Sequence, residues 1–149
     1  MRRKAAFSLL EVLLVLVIVG VLGSMAYPSY AAYLLKTRRA EGQMALLHRM
    51  QDEERYFTDH HRYLAFGADA GGGDAQAMVW WSGADAQHSA YELRGKACPG
   101  AVIAECIVIE AAPGTERVNA AYRDPECGTL SLNSVGVRTA SGPAGRCWP

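Results

Sequence analysis

Hydrophobic and polar positions divide the chain into stretches with different periods. From Phe7 to Tyr27 the only charged side chain is Glu11, and Val12 to Leu22 is apolar apart from Gly20. A run of about 20 apolar residues is long enough to cross a bilayer as a helix. Beyond Pro28, the residues Tyr30, Tyr33, Thr37, Ala40, Met44, Leu47, Met50 or Gln51, Glu54 and Phe57 recur at alternating steps of three and four. That spacing predicts one mostly apolar stripe on a continuing helix. Arg38, Arg39, Glu41, Arg49, Asp52, Glu53 and Arg55 fall on the opposite, solvated side. The expectation is a single helix from about Ser8 to about Phe57. Pro28 should kink it by removing a backbone hydrogen bond, and Gly20 should weaken it through backbone entropy.

Between Thr58 and Ser89 no long period survives, and Asp69, Gly71-Gly72-Gly73, Asp74 and Gly83 are turn chemistry. The Val79-Trp80-Trp81 cluster is expected to fold back over a small core. Asp59-His60-His61 reads as a polar turn that ends the helix rather than a metal site, because adjacent residues point in different directions. From Tyr91 the period changes to two. Tyr91 to Lys96 and Cys106 to Ala111 read as neighbouring antiparallel strands. Gly128 to Leu132 and Gly136 to Thr139 read as a second pair turning at Asn133-Ser134. The fold class is α+β, with a long helix against a small antiparallel sheet.

Composition narrows the function. The 149 residues leave room for one modest domain besides the apolar segment. Formal charge is zero, and loss of Arg2, Arg3 and Lys4 would leave twelve basic against fifteen acidic side chains, a net of −3. Bulk attraction to nucleic acid is not expected of such a chain. The four cysteines, Cys98, Cys106, Cys127 and Cys147, form no CxxC pair and have no histidine at ligand spacing, which argues against zinc. An even count points to disulfides and an oxidising compartment. Three pairings exist. Cys98–Cys106 and Cys127–Cys147 are favoured because each brackets a candidate turn or hairpin. No catalytic constellation, phosphate-binding loop, metal motif or cofactor motif is present, so the chain is not read as an enzyme.

The N-terminal segment admits three readings: a removed signal peptide, a plain anchor, or a short leader, Met1 to Ala6, cut off before Phe7. Glu11 decides among them. An ionisable group inside a membrane helix costs roughly 2.5–3.5 kcal/mol and usually marks a function. A new α-amino group at Phe7 would supply a cation for it within an assembly, where ion pairing gains from the low dielectric.

Ala6-Phe7-Ser8-Leu9-Leu10-Glu11, the unbroken apolar run and Tyr27-Pro28-Ser29-Tyr30 resemble the class III signal of type IV pilins. The resemblance implies that a prepilin peptidase cuts between Ala6 and Phe7 and methylates Phe7. It implies that Glu11 pairs with a neighbouring subunit's N-terminus and sets assembly register. The family usually has glycine where this chain has Ala6. Asp124, Cys127-Gly128-Thr129-Leu130, Gly136 and the ending Cys147-Trp148 resemble the PilE-type minor pilins of Gram-negative bacteria, in which two such cysteines close the D-region. Cys98 and Cys106 are an addition to that pattern.

The domains expected are a leader (1–6), a transmembrane and filament-core helix (7–27) and a periplasmic globular domain (28–149). Arg2, Arg3 and Lys4 favour a cytoplasmic N-terminus; Lys36, Arg38 and Arg39 nearly balance them, and the cysteines place the domain on the periplasmic side. The subunit would wait in the inner membrane and then join an extracellular pilus. Its main reading is a minor pilin that helps initiate or is incorporated into the pilus, for assembly, twitching motility or adhesion. Its partners would be major and minor pilins, the peptidase, the assembly platform and a tip adhesin. A DNA-binding tip pilin for DNA uptake is the less favoured alternative, with Arg138 and Arg146 as candidate contacts, Arg117 and Arg123 extending the stripe and Trp148 stacking. A type II secretion pseudopilin is a further alternative. It lacks support because Asp124 and Glu126 alone supply too few oxygens for calcium.

Overall fold

The structure, a computed structural model, describes residues 8–149. The leader, its basic residues and the Ala6–Phe7 junction lie outside the described residues, as does the Pro28 side chain. The chain divides into two compact units, Met1–Lys36 and Thr37–Pro149. Helix α1, Leu9–His60, is 52 residues long and runs without a break across Gly20 and Pro28. Ser8 opens it, its carbonyl and hydroxyl accepting from the Glu11 N–H at 3.1 and 3.4 Å.

In the first unit the helix is apolar on all sides, with Leu9 through Leu22 and Met25 exposed. A helix of this kind belongs in lipid or among other helices. By length and composition it is able to cross a membrane. The hydroxyl of Ser24 is satisfied within the helix by the Val21 carbonyl at 2.7 Å.

In the second unit α1 runs on to His60, and His61 stops it in a left-handed conformation (φ 55°). Strands β1 (Tyr91–Ala97), β2 (Ile107–Pro113), β3 (Leu130–Asn133) and β4 (Arg138–Ala140) form one antiparallel meander in chain order. Alternate residues turn inward: Tyr91 and Leu93, then Ile107, Ile109 and Ala111, then Leu130 and Leu132. With Leu46 of α1, Tyr63, Phe66, Cys127 and Cys147 they make the core. The β3–β4 turn is longer than Asn133-Ser134. Asn133 accepts the Gly136 N–H on its carbonyl (2.9 Å) and the Val137 N–H on its side chain (2.8 Å), so β4 starts at Arg138.

The stretch read as loop has a structural task. Besides the short α2 (Asp74–Ala77), Phe66 exchanges both backbone hydrogen bonds with Gly95 at 3.0 and 3.1 Å. Farther along, Trp80 accepts from the Leu93 N–H at 2.7 Å. These bridges cover the outer edge of β1, which would otherwise invite pairing with another chain. Trp80 is half-buried against the core and meets Trp81 edge-to-face at 5.1 Å.

One expectation about α1 is corrected. Its inward face carries Arg39, Gly42, Leu46 and Glu53, while Ala40, Met44 and Glu54 of the expected apolar stripe are exposed. The face is turned by about one residue, roughly 100°. Arg39 and Glu53, assigned to the solvated side, are buried because each meets a polar partner in the loops. Gly42 is inward because a Cβ there would lie 2.7 Å from the ring of Tyr91, whose hydroxyl is held elsewhere. Gly42→Ala should therefore destabilise the domain by about 1–2 kcal/mol through overpacking, outweighing the helix propensity it gains. Urea unfolding of the full chain in detergent would measure this, and a stabilised variant would refute it.

Candidate nucleic-acid interface

The C-terminal third carries the candidate contacts, and its geometry begins with two disulfides. Cys98 joins Cys106 across the β1–β2 connection, and Cys127 joins Cys147 across a separation of 20 residues. The second bond is buried, and the chain around it is pinned repeatedly. Gly142 N–H donates to the Cys127 carbonyl (2.8 Å), Ala144 N–H to Glu126 (3.0 Å), and the Gln43 side chain on α1 to the Cys147 carbonyl (2.7 Å).

Behind this closure lies a buried charge network. Arg39, 8% exposed, binds Asp124, 3% exposed, through Nε and Nη2 at 2.8 and 2.7 Å, and Nη2 also reaches Glu126 at 2.8 Å. Asp124 accepts further from the Tyr91 hydroxyl (2.7 Å) and the Cys127 N–H (3.1 Å). Burial alone would raise the Asp124 carboxyl; the Arg39, Tyr91 and Cys127 donors more than offset it and hold its pKa below the usual carboxylate value. Burial pushes the Tyr91 hydroxyl well above its ordinary value, with Tyr122 and Asp124 adding to the shift. The network locks the start of the closure to α1.

On this support the four candidate arginines separate. Arg117 is engaged by Asp69 and by Glu92, the latter at 3.3 Å. Arg123 is turned onto the carbonyls of Gly114, Ala120 and Tyr122. Arg138 and Arg146 are exposed, and among the described residues neither has a carboxylate within ion-pair distance. Arg138 lies over the Trp148 ring, 5.5 Å from its centroid, a cation–π contact. The indole N–H of Trp148 is fixed on the Thr139 carbonyl at 2.9 Å. Arg146 sits in the same closure, beside Cys147. Two acids of this part of the domain are engaged elsewhere: Glu126 on Arg39, and Glu110 on Lys96 at 2.9 Å.

Sequence reasoning missed the apolar turn beside Arg138. Val135 and Val137 are exposed at 76% and 52%. Their signal was the polar–apolar alternation of Ser134-Val135-Gly136-Val137, which reads equally well as strand.

Comparison with known proteins bears directly on this surface. A sequence family described as type IV minor pilin ComP, DNA uptake sequence receptor, matches residues 28–131. The chain belongs to the ComP family of type IV minor pilins. The prokaryotic N-terminal methylation motif matches residues 1–27. Membership makes the chain a pilin, not an enzyme, and sets the pseudopilin reading aside. No curated protein matches the chain. Among solved structures, the non-core minor pilin PilV of Neisseria meningitidis is 19% identical. That match covers 77% of this chain and 94% of the other, with a TM-score of 0.51. A type IV pilin from Shewanella oneidensis is 24% identical over 77% of this chain and 98% of the other, with a TM-score of 0.47. The PilV likeness agrees with ComP membership in fold: a long helix on a small antiparallel sheet.

Proposed function

We propose that this minor pilin is a DNA receptor displayed on a type IV pilus, with the Cys127–Cys147 closure as its contact surface. The observation that carries this is the match of residues 28–131 to a family described as the DNA uptake sequence receptor. It reverses the order read from the sequence, in which the structural role stood first and the negative charge and the acidic neighbours Glu116, Asp124 and Glu126 stood against DNA. Net charge is a poor guide here because Asp124, Glu126 and Glu110 are paired with other cations, leaving Arg138 and Arg146 to face solvent.

Arg138 and Arg146 lie beyond the matched residues, so their role rests on geometry and chemistry. Exposed guanidinium groups on a rigid support bind phosphates and fix register along the backbone. Val135 and Val137, exposed on the β3–β4 turn, suit the thymine methyl groups of a major groove. Trp148 holds Arg138 in place by its ring face.

The N-terminal segment supplies delivery. Prepilin peptidase cuts between Ala6 and Phe7 and methylates Phe7, and the helix holds the subunit in the inner membrane with its domain in the periplasm. On entry to the pilus, Glu11 pairs with a neighbouring subunit's N-terminus, and the apolar helices pack among other pilins on the assembly platform. The stretch from Gly20 to Pro28 loosens the helix there.

Binding of labelled duplex DNA to the full chain in detergent micelles, followed by fluorescence anisotropy across a salt series, tests the reading. Arg138→Ala/Arg146→Ala should reduce the slope of log K against log salt by about 2, since each phosphate contact contributes roughly 0.9. Affinity at low salt should fall about 10- to 100-fold. A wild-type chain that binds no duplex at low salt would sink the proposal, and an unchanged slope in the variant would move the site elsewhere.

A further inference from the structure

Glu53 has no exposed surface, although it is a carboxylate on a helix. It sits about two turns before the end of α1. Its Oε2 accepts the Leu64 N–H at 2.8 Å, and its Oε1 has no hydrogen-bond partner. Buried polar atoms are rarely left this way, and an ionised one is costly. The groups that face it make matters worse. Asp52 and Glu54 flank it on α1, and the Tyr63 hydroxyl, from the following segment, donates to Glu54 at 3.1 Å. The nearby cations Arg49 and Arg55 are engaged by Asp52 at 3.0 and 3.7 Å. Among the described residues no cation lies within ion-pair distance of Glu53, and the charges that bear on it are those of Asp52 and Glu54.

The lone donor to Glu53 belongs to a segment with a structural duty. Residues 63–66 leave α1 and carry Phe66 to β1, where it shares two backbone hydrogen bonds with Gly95. The Leu64 bond to Glu53 ties this strap to the helix at one end, and the Phe66 bonds tie it to the sheet at the other. A Cβ at Gly95 would lie 2.5 Å from the Phe66 ring, so the seat is close-fitting.

We propose that Glu53 is a proton-operated latch: the neutral acid keeps residues 63–66 seated on α1 and the β1 edge, and ionisation loosens them. Burial raises the carboxyl from its ordinary 4.5 to about 7, against the lowering by the Leu64 N–H. The folded state therefore holds the proton more tightly than the unfolded chain does. The stability this contributes is full below about pH 4.5 and is lost as pH rises to about 7, after which it stays lost. A loosened strap bares the N–H and carbonyl of Gly95, a place where another extended segment pairs.

Hydrogen exchange read by mass spectrometry on the full chain in detergent micelles tests the latch. With rates corrected for the intrinsic effect of pH, protection of residues 62–67 should fall about 10- to 100-fold from pH 5 to pH 8. Glu53→Gln, neutral at every pH and still able to accept from Leu64, should remove that dependence. Constant protection in the wild type, or the same loss in the variant, would overturn the proposal. If the variant fails to fold, a carbon-13 titration of the wild-type Glu53 carboxyl decides the matter. A midpoint between pH 6 and 8 supports the latch, and one below pH 5 refutes it.

Discussion

Asp124→Ala should cost the domain about 3–5 kcal/mol, the largest loss expected of a single substitution here. The bidentate pair with Arg39 is nearly sealed from solvent, and Tyr91 and the Cys127 N–H spend their hydrogens on the same carboxylate. Removing it strands a buried guanidinium, a buried phenol and a backbone donor together. Glu126 touches the same guanidinium but is itself mostly exposed, so it compensates weakly. The size of the loss measures what is left unpaired, not the net worth of the pair, because desolvation of both ions offsets much of their attraction. Replacing both partners by apolar residues, Arg39→Met with Asp124→Leu, should accordingly recover the part of the loss due to the stranded guanidinium, while the Tyr91 hydroxyl and the Cys127 N–H still lack their acceptor. Urea unfolding of the three full-length proteins in one detergent checks this. A loss below about 1 kcal/mol for Asp124→Ala would mean that water replaces the carboxylate and that the network is not sealed.

Cys127→Ala/Cys147→Ala should lower stability by about 3 kcal/mol, since a 20-residue closure withholds that much chain entropy from the unfolded state. For a domain of this size that corresponds to a fall in melting temperature of roughly 10–20 °C, measurable by circular dichroism. DNA binding should fall with it, because Arg146 adjoins Cys147 and Trp148 positions Arg138. The two effects separate by temperature. Well below the melting point the variant is folded, and a persisting loss of DNA affinity then reports the freedom of the closure alone. Full affinity at low temperature would instead show that the hydrogen bonds from Gly142, Ala144 and Gln43 hold the closure without the disulfide.

Much of the architecture was legible from local pattern. The period-two runs from Tyr91 and from Cys106 became β1 and β2 within a residue or two, because their alternation matches a sheet with one buried face. The length of α1 was legible because neither Gly20 nor Pro28 stood near enough to a competing turn signal to end it. The phase of α1 was not legible. Hydrophobicity ranks Ala40 and Met44 above Arg39, Gly42 and Glu53, yet the latter three face inward. Each has a partner beyond the helix: Asp124 for Arg39, the Tyr91 ring for Gly42 and the Leu64 N–H for Glu53. A periodicity count weighs residues singly and cannot register a penalty that a distant partner cancels.

The candidate site divides in the same way. Arg117, Arg123, Arg138 and Arg146 look alike in sequence; only the fold spends Arg117 on acids and Arg123 on carbonyls while leaving Arg138 and Arg146 exposed. By itself the sequence determined the apolar helix, its glutamate and the strand periods, because these depend on side chains a few positions apart. The tertiary structure alone decided which charges are buried, which are spent and which face solvent, because burial and pairing depend on groups that meet only after the chain has folded.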